Sequence, residues 1–86
     1  MNINELIKIV KSKIEAEIVI QEIQIEDKSF LHKNHKGNQE GMFHLKLIIK
    51  SEELKKLNKI ESTKKIYSIL NLELKEHIHS IQILLS

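Results

Sequence analysis

The chain has 86 residues, of which 30% are charged, and a formal net charge of +2, which predicts one small folded domain over residues 1–86 rather than a disordered chain. It contains no cysteine, so disulfides, a thiolate nucleophile and a metal site built on its own cysteines are excluded. It shows neither a membrane-spanning apolar run nor a recognisable signal peptide, so we expect a cytoplasmic protein.

The first third of the chain is expected to form a helix and then a strand. Apolar residues recur at helical spacing from the start to about residue 15, and Asn2 with Glu5 forms a capping-box pattern at the helix start. Ile23 and Ile25 then alternate with polar residues. This alternation predicts a half-buried strand within residues 18–26 that begins late or contains an irregularity.

The remaining chain predicts a loop, a strand, a helix and a last strand. Residues 27–41 have no periodicity and form the one long loop, which is where functional residues are often found. Residues 42–50 alternate most clearly and predict the second strand, and Ser51 begins a short helical turn. The second helix is expected over residues 61–75 and the last strand over residues 78–85.

The spacing of residues also predicts which side chains share a face of the second helix and of the last strand. One face of the second helix is expected to carry Tyr67 into the core together with Thr63, Ile66, Leu70 and Leu74. Phe43 is likewise expected in the core. One face of the last strand is expected to hold His79, Ile81, Ile83 and Leu85.

The order helix, strand, strand, helix, strand predicts an α+β fold with a three-stranded mixed sheet and both helices on one face. The long loop suits an antiparallel first pair of strands. A helix separates the second strand from the third, which predicts a parallel pair joined by a right-handed crossover.

Basic charge is concentrated in the middle of the chain. Residues 28–65 carry ten lysines and four acidic residues, a net charge of +6, while both flanking segments are acidic. This pattern fits an acidic partner or nucleic acid, although a solvated lysine-rich surface is the more ordinary explanation. All fourteen basic residues are lysine, so bidentate arginine contacts with guanine or phosphate are excluded.

The histidines are the strongest candidates for chemistry. His32 and His35 lie in the long loop, and His44 opens the second strand on its predicted polar face. His77 lies just before the last strand and His79 at its start. Imidazole is a common metal ligand, although a single histidine is more often a surface or capping residue. The chain has one aspartate and no glycine-rich phosphate loop, so we do not expect an enzyme.

Short motifs follow one another along nearly the whole chain. They are Asp27-x-Ser29-x-x-His32-x-x-His35-x-Gly37, His44-Leu45, Ser51-x-x-Leu54, Ile66-Tyr67-x-x-Leu70 with Glu73-Leu74, and Ile78-His79-Ser80-Ile81. Each motif is weak, but the ordered set resembles the BolA family. The resemblance implies the same helix and strand order, in a fold similar to class II KH domains.

The resemblance also implies a non-enzymatic function in iron–sulfur trafficking or iron sensing. Family members form heterodimers with monothiol CGFS glutaredoxins and share a [2Fe–2S] cluster that the glutaredoxin holds with cysteine and glutathione. The family's C-terminal histidine falls on His79, and its loop ligand on His32, with His35 as second choice. Lys64 and Lys65 keep positive charge that would contact glutathione or an acidic glutaredoxin face. Alone, the chain is expected to hold no cofactor and to be a monomer or weak homodimer.

Two alternatives remain open. A KH-like fold and the basic middle segment favour a nucleic-acid-binding transcriptional regulator. Against it, the chain lacks a GXXG clamp between helices, has no arginine, and offers only Phe30 as a loop aromatic for base stacking. The third interpretation is a BolA-like homodimer whose histidines have no special role.

Overall fold

The computed structural model describes residues 1–29 and 42–86. Its elements in chain order are α1 (Ile3–Glu17), β1 (Glu22–Asp27), β2 (Phe43–Lys50), α2 (Glu52–Lys55), α3 (Lys59–Ile69), α4 (Asn71–Glu76) and β3 (Ile78–Leu85). The predicted α+β architecture is confirmed. None of the helices in the described ranges is both long and apolar enough to span a bilayer.

The three strands form one mixed sheet with β2 at its centre. β1 pairs with β2 in antiparallel orientation, with Ile25 opposite Leu47, and β2 pairs with β3 in parallel orientation, with Leu47 opposite Ile83. Both predicted orientations are therefore confirmed. The first strand begins late, at Glu22, as the change of parity after Ile20 indicated.

A single apolar cluster joins the helices to one face of the sheet. Its fully buried members are Leu6, Val10, Ile14, Ile18, Leu45, Leu47, Ile49, Leu54, Ile66, Leu70 and Ile78. The members from β2 alternate along the strand, so they share one face, and the α1 members recur every four residues. The helices therefore cover that face, as predicted, while Gln24, Lys46 and Gln82 belong to the opposite face.

The starts of α1 and α3 are capped by asparagine. The Asn2 side chain accepts a hydrogen bond from the Glu5 backbone N–H at 2.9 Å, as predicted. Glu5 accepts from the Asn2 side-chain amide rather than from its backbone, so the reciprocal half of the predicted capping box is wrong. A complete capping box begins α3 instead, between Asn58 and Glu61; the Asn-x-x-Glu spacing was its sequence signal.

The predicted single helix over about 61–75 is wrong in its continuity. Helical structure begins at Lys59 and is interrupted at Leu70, where φ is −97° and ψ is 17°. Leu70 stays in the core, and its carbonyl still accepts from the Leu74 N–H at 2.9 Å. The interruption therefore ends α3 and begins α4, while the Leu70 side chain stays buried.

The buried face of α3 is also rotated from the prediction. Ser62 and Ile66 are fully buried, whereas Tyr67 is 42% exposed, so the prediction of Tyr67 as core is wrong. The Ser62 hydroxyl donates to the Lys59 carbonyl at 3.1 Å, and this bond lets a polar residue occupy the core position. Phe43 is half-buried and packs against the core, in agreement with its prediction.

Candidate functional site

A β-bulge interrupts the pairing at the start of β3. Phe43 pairs with Ile78, but the next residue, His44, pairs with Ser80, so His79 is an extra residue on β3. The bulge reverses the alternation of β3, and Ile78 takes the core-facing position. The prediction that His79 shares the face of the later isoleucines is therefore wrong; the His79 side chain is exposed.

His44 lies beneath His79. His44 lies on the predicted polar face of β2, which it shares with Lys46, but it is only 3% exposed there. Its Nδ1 atom is hydrogen-bonded to the Ser80 Oγ atom at 2.7 Å. The ring centroids of His44 and His79 are 4.9 Å apart, with an interplanar angle of 50°. Two histidines thus meet where β2 and β3 begin, at one end of the sheet.

The residues that directly follow β1 are hydrogen-bonded to the backbone of His44. The His44 backbone N–H donates to Ser29 Oγ at 3.1 Å, and the His44 carbonyl accepts from the Lys28 N–H at 2.7 Å. The Ser29 N–H in turn donates to Asp27 Oδ1 at 2.9 Å, as in an Asx turn. We call Ser29, His44, His79 and Ser80 the histidine rim.

His77 is a linking residue beside this rim. Its backbone N–H donates to the Glu73 carbonyl at 2.8 Å and its carbonyl accepts from the Phe43 N–H at 2.9 Å. It thus ends α4 and joins it to β2. His32 and His35, the predicted loop ligands, lie outside the described residues.

The rim offers one exposed imidazole for metal ligation. Within residues 1–29 and 42–86, no three histidine, cysteine or acidic side chains are grouped so as to hold a metal ion. His44 is buried and bonded to Ser80, whereas His79 is exposed. This donor set fits a cluster whose other ligands come from elsewhere, and it does not fit a site completed by the described residues.

The two candidate lysines are on α3, away from the rim. Lys65 Nζ lies 3.1 Å from Glu53 Oε2. Glu53 follows the last residue of β2, whereas His44 lies near the first residue of that strand. The six residue-to-residue steps from His44 to Lys50 span about 20 Å of strand. Lys64 is exposed. The structure therefore brings His44 and His79 together, but it does not bring Lys65 to them.

Glu53 is held by this same contact. The Lys65 hydrogen bond, together with one from the Val19 backbone N–H, lowers the pKa of the Glu53 carboxyl below its ordinary value. Glu53 therefore favours its charged form and keeps Lys65 engaged.

Comparison with known proteins assigns the family. The family model described as "BolA-like protein" matches residues 14–86. The chain belongs to the BolA family. A BolA relative from Haemophilus influenzae, named "DNA-binding transcriptional regulator BolA", is 32% identical over 74 residues, which cover 86% of this chain and 69% of the relative.

Solved BolA structures share the fold. The BolA domain of SufE1 from Arabidopsis thaliana superposes with a TM-score of 0.78 at 26% identity, over 100% of this chain and 93% of that one. BolA1 from Arabidopsis thaliana gives 0.75 at 26% identity, over 90% and 85%. The predicted family and fold are thus confirmed. The class II KH-like relationship is compatible with this fold and stays a prediction.

Sequence reasoning missed two features of the histidine rim, the bulge at His79 and the hydrogen bond between His44 and Ser80. The bulge had a signal, because Ile78 and Ile81 are three residues apart and break the period of two that continues through Ile83. The hydrogen bond between His44 and Ser80 had none, since the two residues are 36 positions apart.

Proposed function

We propose that this BolA-family chain is a non-enzymatic iron–sulfur module that forms a [2Fe–2S]-bridged heterodimer with a monothiol CGFS glutaredoxin. Its role is cluster trafficking or iron homeostasis in the cytoplasm. The observation that carries the proposal is the exposed imidazole of His79, placed on a bulge over a buried histidine. His79 is the ligand that the described part of the chain contributes.

The ligand set requires a second protein. Iron–sulfur clusters are held by cysteine thiolates, with histidine replacing cysteine in some of them, and this chain has no cysteine. The glutaredoxin cysteine and its bound glutathione would supply the thiolates. Histidine in place of thiolate makes such a cluster less negative and raises its reduction potential.

A loop histidine completes the contribution of this chain. We propose His32, with His35 as second choice. Ser29 is hydrogen-bonded to the His44 backbone, and His32 follows Ser29 by three positions in the sequence. His35 follows three positions later.

The lysines of α3 would contact the partner away from the cluster. Lys64 is exposed and available to glutathione or to an acidic glutaredoxin face. Lys65 is paired with Glu53, so it would contact the partner only by sharing or exchanging that carboxylate. Both act as point charges without bidentate geometry.

The test mixes this protein with cluster-loaded CGFS glutaredoxin and follows native mass and visible circular dichroism. The variants are His79→Ala and His32→Ala, and His77→Ala is the matched control because His77 is two residues from His79 and outside the proposed ligand set. Wild type and His77→Ala should form a heterodimer with a changed cluster spectrum. His79→Ala and His32→Ala should lose that change.

The outcomes separate ligation from docking. A heterodimer whose spectrum is the same in wild type and His79→Ala would contradict ligation by His79. If only His32→Ala behaves as wild type, His35→Ala tests the second choice. Failure of the wild-type protein to form any complex would overturn the proposed function.

A second candidate function is DNA binding. The Haemophilus influenzae relative carries the name of a DNA-binding transcriptional regulator, and α2, α3 and the turn between them expose Lys55, Lys56, Lys59 and Lys64. If these lysines contact phosphates, the logarithm of the DNA association constant should fall with the logarithm of salt concentration by about 0.9 per contact. Replacing all four with glutamine should flatten that dependence.

A further inference from the structure

We infer that His44 is a positioning residue for His79, with Ser80 as its anchor. The His44 ring, fixed beneath the surface, restricts the orientations of the exposed His79 ring. The consequence of this inference for cluster ligation rests on the proposed function. The ordering of the His79 ring in the free protein does not depend on the proposed function.

His44 itself is immobilised. Both of its backbone polar groups are hydrogen-bonded to the residues that follow β1, the N–H to Ser29 and the carbonyl to Lys28. Its ring is bonded to Ser80 at 2.7 Å, and the residue is buried. Rotation of the ring about χ1 would break the Ser80 bond and displace packed atoms.

Among residues 1–29 and 42–86, few contacts other than the one with His44 restrain His79. It is the extra residue of the bulge, so it lacks the regular cross-strand neighbours of a paired residue. An exposed side chain normally changes rotamer on the picosecond to nanosecond timescale. The contact with His44 lies within the range of about 4.5–7 Å that is typical of aromatic ring pairs. His44 therefore gives His79 a fixed surface to pack against.

The orientation of the His79 ring bears on its ability to bind a metal. Residues that orient a metal ligand fix its ring direction, and their removal typically lowers metal affinity about 10–100-fold. An imidazole that is already oriented loses less rotamer freedom when it binds. Ser80 of β3 thus holds His44 of β2, and His44 orients the ring of His79.

The experiment measures side-chain order of His79 in the free protein by ¹³C relaxation of its imidazole carbons. Ser80→Ala removes the anchor and keeps the ring of His44. Ser80→Thr restores a hydroxyl, and Ser68→Ala is the control because Ser68 is an exposed serine on α3. Ser80→Ala should lower the His79 order parameter, while Ser80→Thr and Ser68→Ala should leave it near the wild-type value.

Thermal unfolding of each variant is measured alongside, because a purely structural role would lower the melting temperature without changing His79 order. A His79 ring as ordered in Ser80→Ala as in wild type would overturn the inference. A wild-type His79 ring as mobile as an ordinary exposed side chain would also overturn it. Since Ser80 is exposed and the change removes one hydroxyl oxygen, Ser80→Ala should fold; His44→Phe provides a second variant that keeps a ring and removes Nδ1.

A second arm uses the cluster-loaded glutaredoxin complex. Ser80→Ala should increase the rate of complex dissociation about tenfold, and Ser80→Thr should reverse most of that change. If His79→Ala does not alter the complex, the proposed function fails while the relaxation data still decide the positioning role. If His79→Ala does alter it and Ser80→Ala changes neither rate nor order, the positioning role is wrong.

Discussion

The ammonium of Lys13 lies 2.6 Å from the Oε2 atom of Glu73 and joins α1 to α4. Glu73 is only 4% exposed, and its other oxygen, Oε1, is buried with no hydrogen-bond partner in the described part of the chain. The charge of this carboxylate is therefore balanced chiefly by one lysine from the opposite end of the sequence. Helix packing and this ion pair depend on each other.

Removal of Lys13 alone should destabilise the fold. Lys13→Met leaves the Glu73 carboxylate buried without its cation, and since the Lys13 side chain is 39% exposed, we expect a loss of about 1–3 kcal/mol, below the cost of breaking a fully buried pair. Urea unfolding measures it. The double variant Lys13→Met with Glu73→Leu should return to within about 1 kcal/mol of wild type. A single variant as stable as wild type would contradict this account.

The capping box of α3 should contribute measurable stability. Asn58→Ala removes the acceptor for the Glu61 N–H, which is bonded at 2.8 Å, and should lower the free energy of unfolding by about 1 kcal/mol. Asn58→Asp should retain most of the stability. Asn71→Ala is the control, because α4 has no side-chain cap, and its effect should stay within about 0.5 kcal/mol. Equal losses at both asparagines would argue against a specific cap.

Neighbouring residues on α3 should differ sharply in their effect. Ile66 is fully buried and Tyr67 is 42% exposed. Ile66→Ala should cost about 2–5 kcal/mol because it removes core contacts and leaves a cavity, whereas Tyr67→Ala should cost less than about 1 kcal/mol. Chemical denaturation of the two variants tests the rotation of the buried face. A larger loss of stability for Tyr67→Ala than for Ile66→Ala would contradict the rotation and would support Tyr67 as a core residue, as the periodicity predicted.

Stability should depend on the ionisation of Glu53 at acidic pH. Folding lowers the pKa of Glu53 below its ordinary value of 4.5, so its contribution is present above that value and is lost as pH falls through the folded pKa. Glu53→Gln should therefore be less stable than wild type at pH 7, and the difference should shrink by pH 3. Lys65→Met should show the same trend, since it removes the main cause of the lowered pKa. A difference independent of pH would rule out this linkage.

Added salt provides an independent check on that contact. The Lys65 side chain is 40% exposed and that of Glu53 is 36% exposed, so ions should screen the pair. The stability difference between wild type and Glu53→Gln at pH 7 should be smaller in 1 M sodium chloride than in 0.05 M sodium chloride. An increase with salt would point to a packing effect rather than a charge effect.

Most of the fold followed from local patterns of residues. The alternation in Phe43–Lys50 and the four-residue spacing of Leu6, Val10 and Ile14 reflect the geometry of a single strand and a single helix. The break at Leu70 carried no such pattern, because no glycine or proline marks it. Its backbone angles depend on how α3 and α4 pack against the sheet, which local propensity does not specify.

The candidate site was predicted by residue identity and not by geometry. His79 was identified through its motif, but its exposure results from a bulge that is defined by pairing with β2. His44 was expected on a polar surface because its neighbours alternate. It is buried, and it is hydrogen-bonded to Ser80 and Ser29 from other parts of the chain.

Helices, strands and the family could be read along the chain because hydrophobic periodicity and ordered motifs are properties of residues near one another in sequence. Which histidine is exposed, which carboxylate is buried and which lysine is already paired were settled by contacts between distant segments. Strand register and helix packing bring those segments together only when the whole core forms, so neither Lys13 with Glu73 nor His44 with Ser80 is visible in any short stretch of sequence.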